Sequence, residues 1–294
     1  MLERLRQFAT GRGPVLLAWL LLATGDVFAD ALRDTDPTFR RATSVGLWLV
    51  WALALIVLVV PGSVALVLAR TAVTAAAPAT LWAVVAVDSS EDWIHLAQVA
   101  FALLAGLAVL SPLTGERFID AASYGDERRF LLRPPLPVMV LALVPTWAVA
   151  VVGLSAGPLL LAAESWSAGA VVTAVGIPVA AIALRAMHSL ARRWLVFVPA
   201  GLVIHDHLAL GEPVLVRRES IRSFAPAPAD PTGTDLTAQA SGLALELSLD
   251  SPLAVSRPAG RRATEEIQVR GVLVTPTRPG SVMGEAARRR IPVA

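Results

Sequence analysis

The stretch "SVGLWLVWALALIVLVVPGSVALVLARTAVTAAAPATLWAVVAV", residues 44–87, carries a single charged residue, Arg70. A helix needs about 20 apolar residues to cross a bilayer core about 30 Å thick. This run is too long for one crossing. Pro61-Gly62-Ser63 is a turn signal inside it. The stretch therefore predicts two spans, 44–60 and 63–87. Arg70 falls early in the second. Its long side chain can reach the interface, or the charge can line a transport path.

Working outward, four more segments are apolar. They predict spans over 14–31, 94–110, 136–157 and 168–187. The first is the shortest in apolar content. Basic residues precede the run Pro14–Thr24, as in a secretion signal, but Asp26 and Asp30 follow it directly. An uncleaved first membrane segment is the preferred reading, with an interfacial helix as the competitor. Composition agrees with a membrane chain: 55% of the 294 residues are hydrophobic and 16% are charged. Soluble domains carry about 25% charge.

The basic residues are all arginine, and cysteine is absent. Disulfides, thiolate metal sites and cysteine nucleophiles are thus excluded. A GC-rich genome accounts for the missing lysine. The net charge of +2 gives no sign of nucleic-acid binding. The histidines (His95, His188, His205, His207) are scattered, so no metal centre, catalytic set or cofactor is expected.

Between the spans ending at 110 and starting at 136 lies "TGERFIDAASYGDERRFLLRPP", residues 114–135. It holds Arg117, Arg128, Arg129 and Arg133, four acids and the only tyrosine, Tyr124. Arginines in short loops stay on the cytoplasmic side. Arg185, Arg192 and Arg193 follow the last span, whereas loops 88–93 and 158–167 have none. A six-span bundle over residues 1–190 then places the loop and everything after residue 193 in the cytoplasm of a bacterial inner membrane. Arg33, Arg40 and Arg41 fall on the other side and conflict with the rule.

From residue 193 the pattern changes to alternation. "RRWLVFVPAGLVIHD" reads as a hairpin turning at Pro199-Ala200-Gly201. "EPVLVRRESIRSF", "SGLALELSLD" and "EIQVRGVLVTP" read as further strands. "GSVMGEAARRRI" reads as a closing helix with Ser281 as N-cap. The fold class is therefore a helical membrane bundle followed by a small, mainly β domain over 193–294.

"VFVPAGLVIHD", "EPVLVRRESIRSF" and "VLVTPTRPGSVMGEAARRR" together resemble the hairpin, basic strand and capping helix of bacterial pleckstrin-homology-like (PH-like) domains. The whole chain, on composition, "SYGDERRFLLRPP" and the tail, resembles multi-pass membrane proteins of high-GC actinobacteria. The resemblance implies a non-enzymatic scaffold or regulatory subunit with a binding module. Membrane lipids and a protein partner, held by the spans or the β domain, are the implied partners.

Several residue groups are weighed for sites. Arg117, Tyr124, Arg128, Arg129 and Arg133, with Arg288, Arg289 and Arg290, are the candidate docking or lipid-contact surface. Asp26, Asp30, Arg70 and His95 are candidates for a transport path, the alternative being a transporter or channel subunit; an intramembrane lipid-modifying enzyme ranks below it, because the spans hold no convergent acid, histidine or serine set. Asp26 and Asp30 share a helix face, and His95 follows Asp88, Glu91 and Asp92 as a proton or cation entry. His205 and His207, two apart on a strand, would need a third ligand such as Glu212 to hold metal. "GLSAG", 153–157, fits G-x-S-x-G but lacks the strand–turn–helix setting of a nucleophile. Small residues spaced by four, Ala102/Gly106 and Gly176/Ala180, allow close helix contact.

Overall fold

The computed structural model describes residues 12–87, 93–259 and 263–294. The chain divides into two units. The first is 1–118 with 144–188, and the second is 119–143 with 189–294.

The first unit is helical. Among the described residues five helices are long and apolar enough to cross a membrane. They are α3 (Pro37–Val59), α4 (Ser63–Ala86), α5 (Trp93–Leu110), α7 (Leu136–Ala162) and α8 (Trp166–Ala191). Among the described residues two short helices precede them, α1 (Gly13–Leu22) and α2 (Val27–Ala31), and α6 (Pro112–Asp120) follows α5. Large apolar side chains such as Val85, Leu107 and Ile182 stand about 70% exposed on the long helices, the surface a lipid phase would cover.

The expected span 14–31 is not one helix. It breaks after Leu22 and resumes at Val27. Ten helical residues reach about 15 Å, half the hydrocarbon thickness. The broken segment nevertheless runs beside α3 in the opposite direction. Arg12 donates to the carbonyls of Leu58 (3.3 Å) and Val59 (2.8 Å) at the end of α3, a cation on terminal helix carbonyls. Farther along, Trp19 Nε1 donates to the Trp51 carbonyl at 3.1 Å, and Trp51 Nε1 donates to the Trp19 carbonyl at 3.0 Å. Each indole N–H is thereby satisfied in apolar surroundings.

Helix α3 starts at Pro37, earlier than the expected 44. Asp36 caps it, accepting from the N–H groups of Thr38 (2.7 Å) and Phe39 (3.1 Å). Those hydrogen bonds hold the Asp36 carboxyl below its ordinary pKa. Arg40 and Arg41 lie in the added turns, which is why hydropathy alone placed the start too late.

Helices α7 and α8 meet through glycine. A Cβ on Gly153 would lie 2.7 Å from the Gly176 carbonyl oxygen, and one on Gly176 would lie 2.5 Å from that of Gly153. Only glycine permits this backbone approach.

The second unit is a small mixed sheet domain with a C-terminal helix. One sheet has the order β1-β2-β3-β4 and is antiparallel: Arg128–Leu131, Trp194–Val198, Gly201–His205 and Val214–Arg217. The other has the order β5-β7-β8-β6: Ile221–Pro226, Leu245–Pro258, Thr264–Val274 and Thr234–Asp235. The β6–β8 pair is parallel. Helix α9 (Pro279–Arg288) closes the domain. Pro279 stands at its first position, so Ser281 lies inside the helix rather than at its cap.

The first strand comes from the loop between α5 and α7, outside the expected 193–294 boundary. Phe130 pairs with Leu195 in register. On its other side, Arg133 N–H donates to the Thr275 carbonyl (2.8 Å) and Thr277 N–H to the Leu131 carbonyl (2.8 Å). The segment 128–133 therefore bonds to strand β2 and to the end of the β8 run at once. Phe130 and Leu132 enter a core with Leu195, Phe197, Leu247, Val272 and Val282. Phe130 meets Phe197 edge to face at 5.6 Å.

Candidate functional site

The break between α1 and α2 is held by one buried side chain of α5. Gln98 Oε1 accepts from the Val27 N–H (3.0 Å), and Gln98 Nε2 donates to the Leu22 carbonyl (3.2 Å). A glutamine amide thus replaces backbone bonds that the interrupted helix leaves open. Gly25 fits because any Cβ there would collide with the Gln98 amide.

This turn hangs two carboxylates over His95, one helical turn before Gln98. His95 Nε2 lies 3.3 Å from Asp26 Oδ1 and 3.3 Å from Asp30 Oδ2. The three ligand-type atoms are all within 4.8 Å of one another. His95 is buried at 3% exposure, Asp30 is partly covered and Asp26 opens to the surroundings. Arg33 pairs with Asp30 through the other carboxylate oxygen, Oδ1. The cluster can hold a proton between imidazole and carboxylate, or a cation among all three. Among the described residues it is the one group of three or more His, Cys, Asp or Glu side chains placed to hold metal. Asp88, Glu91 and Asp92 lie outside the described residues.

Three of the four transport-path candidates therefore meet, and Arg70 does not join them. Arg70 Nε donates to the Val109 carbonyl at 3.4 Å. Val109 is 14 residues beyond His95 on α5, about 21 Å along the axis.

The docking candidates of the sheet domain are largely engaged within it. Arg128 pairs with Asp120 (2.6 Å) and Arg129 with Glu127 (3.0 Å). Their guanidinium groups also sit over Phe130 (5.7 Å) and Trp194 (6.0 Å). Arg288 and Arg289 both bind Glu285, at 2.7 and 2.6 Å. Arg289 also donates to the Asp126 carbonyl, so the tail and the inserted segment meet. Tyr124 projects at 82% exposure, and Arg290 is exposed with φ 57°. Arg117 lies on α6, in the helical unit.

Arg133 belongs to a buried network absent from the sequence reading. Its carbonyl accepts from Arg193 Nη1 (2.8 Å), while Arg193 Nε and Nη2 donate to Asp206 Oδ1 (2.8 Å) and Oδ2 (2.6 Å). The Leu208 N–H adds a bond to Asp206 (3.1 Å). In sequence Arg193 reads as one of the positive charges after the last span and as the opening of the hairpin stretch, with no partner indicated. The signal available in sequence was its position one residue before an alternating strand.

His205 ends β3, stacks on Trp194 at 4.9 Å and has Nδ1 3.0 Å from the Arg192 carbonyl. His207 lies beyond the strand in a turn, so the two do not share a strand face. Burial, with the charges of Arg192, Arg193 and His205, lowers the pKa of His207 against the opposing pull of Asp206. In "GLSAG", Ser155 donates back to the Val151 carbonyl (2.8 Å) within α7. Gly153 serves the helix contact rather than a nucleophile turn. No family model, curated protein or solved structure matches this chain.

Proposed function

We propose that the chain is a non-enzymatic, membrane-embedded scaffold or regulatory subunit of the bacterial inner membrane, with its sheet domain as a cytoplasmic binding module. One observation carries the reading: strand β1 is cut from the segment between two apolar helices and completes the domain core. The domain is therefore attached to the helices on both sides of β1 and again ahead of β2. A domain wired in this way can pass a binding event to the helices, since strand positions in a shared core are not independent. Two sheets and a closing helix support the finer PH-like reading, and fold alone assigns no activity.

The test is co-purification from native membranes of the full chain and of a chain ended at Ala191. A stoichiometric protein or lipid lost on truncation supports the proposal. A partner that stays with the helices alone, or no partner with either form, removes it.

A further inference from the structure

We propose that Asp26, Asp30 and His95 form a binding site for a first-row divalent metal ion of the Mn²⁺ or Zn²⁺ class. The site lies in the helical unit and stands independently of the role proposed for the sheet domain.

The donor set is one imidazole nitrogen and two carboxylates. That mixture suits Zn²⁺ and Mn²⁺ better than Mg²⁺ or Ca²⁺, which favour all-oxygen shells. The spacing fits as well. Ligands about 2.1 Å from a metal stand about 3.0–3.4 Å apart along an octahedral or tetrahedral edge. Nε2 lies 3.3 Å from an oxygen of each carboxylate. A direct charged N–H···O bond would be shorter, about 2.7–2.9 Å. One imidazole N–H also cannot point at both carboxylates, whereas one metal ion can bridge all three groups.

The frame is built before any ion arrives. Gln98 and Gly25 fix the turn that carries Asp26. Arg33 engages Asp30 Oδ1 and leaves Oδ2 toward His95, the kind of outer contact that orients metal ligands. His95 closes the site from the buried side and Asp26 from the open side, so ligand positions remain for water or an exchanging group. Three protein ligands with open positions describe an exchangeable site rather than a sealed structural one.

The full chain, purified in detergent with a histidine-free tag and stripped with chelator, is dialysed against Mn²⁺, Zn²⁺ or Mg²⁺. Bound metal is counted by mass spectrometry and thermal melting is followed in parallel. The expected result is one Mn²⁺ or Zn²⁺ per chain with a raised Tm, and no response to Mg²⁺. Asp26→Asn is expected to weaken binding by about tenfold or more, and His95→Gln to abolish it. Asp26 is exposed, so Asp26→Asn leaves packing intact and still reads the site if His95→Gln fails to fold. No retained metal, equal retention in both variants, or an equal response to Mg²⁺ overturns the proposal.

Discussion

Arg193 and Asp206 are paired fork to fork inside the sheet domain, with side chains 1% and 0% exposed. The third arm of the guanidinium reaches the Arg133 carbonyl. One cation thus joins the start of β2, the end of β3 and the inserted segment. Each side chain is the other's buried countercharge, which makes the pair intolerant of half-removal.

Asp206→Asn should therefore cost about 3–5 kcal/mol, because it strands a buried guanidinium. Replacing both partners, as Arg193→Met with Asp206→Leu, should restore much of that loss. Thermal or denaturant melting of the three variants in detergent checks the order. Equal stability of single and double variants would show that the pair is not closed to water.

Phe130→Ala should destabilise the sheet domain by about 3–5 kcal/mol, as deletion of a buried aromatic does. A fragment of residues 193–294 alone lacks Phe130 and Leu132 and should fail to melt cooperatively. Linking residues 119–135 ahead of it should restore a transition. Circular dichroism and proteolysis report both results.

Gly176→Val should push α7 and α8 apart, because its Cβ would lie 2.5 Å from the Gly153 carbonyl oxygen. The expected cost is about 1–3 kcal/mol, the range for overpacking a close contact. Ser155→Ala should have a much smaller effect, since Ser155 only bonds back within its own helix. Detergent melting of the two variants separates helix contact from any role of the serine.

Glu285 supplies a pH dependence. Burial would raise its carboxyl, but hydrogen bonds and charge from Arg288 and Arg289 outweigh it and lower the pKa below 4.5. Its stabilisation is therefore complete above about pH 4.5 and is lost as pH falls through the depressed folded value. Glu285→Gln should remove this acid-side loss and cost about 1–2 kcal/mol at pH 7. Melting of both proteins from pH 3 to 7 shows whether their stabilities converge at low pH.

Orientation can be read without background, since the chain has no cysteine. With Tyr124→Cys and Ser165→Cys, an impermeant maleimide on intact cells should label position 165 and spare 124. The reverse pattern would invert the arrangement proposed for the loop and the sheet domain.

Much of the architecture is written locally. The apolar runs of α3, α4, α5, α7 and α8 exceed what any soluble helix needs to bury, so hydropathy located them. The Pro199–Gly201 turn and the alternation around it located the hairpin for the same local reason. Helix starts were less legible: Asp36 caps α3 through its own carboxylate, while Arg40 and Arg41 masked the start. That Asp26 and Asp30 lie close together could be read from their four-residue spacing.

What decided the rest was contact between residues distant in sequence. "RRFLLR" carries three arginines around three apolar residues and reads as loop, yet β2 on one side and Thr275–Thr277 on the other make it a strand. Hydrogen bonds supplied by a partner strand leave little trace in the strand itself. In the same way Gln98, inside an apolar helix, reads as an isolated polar residue until the broken helix arrives to use both ends of its amide. His95 meets Asp26 and Asp30 only because that break turns the chain over α5. The sequence alone therefore determined where apolar and alternating segments lie, because those follow from local transfer free energy and period. The tertiary structure decided which loop becomes a strand and which polar residues converge, because both depend on partners far along the chain.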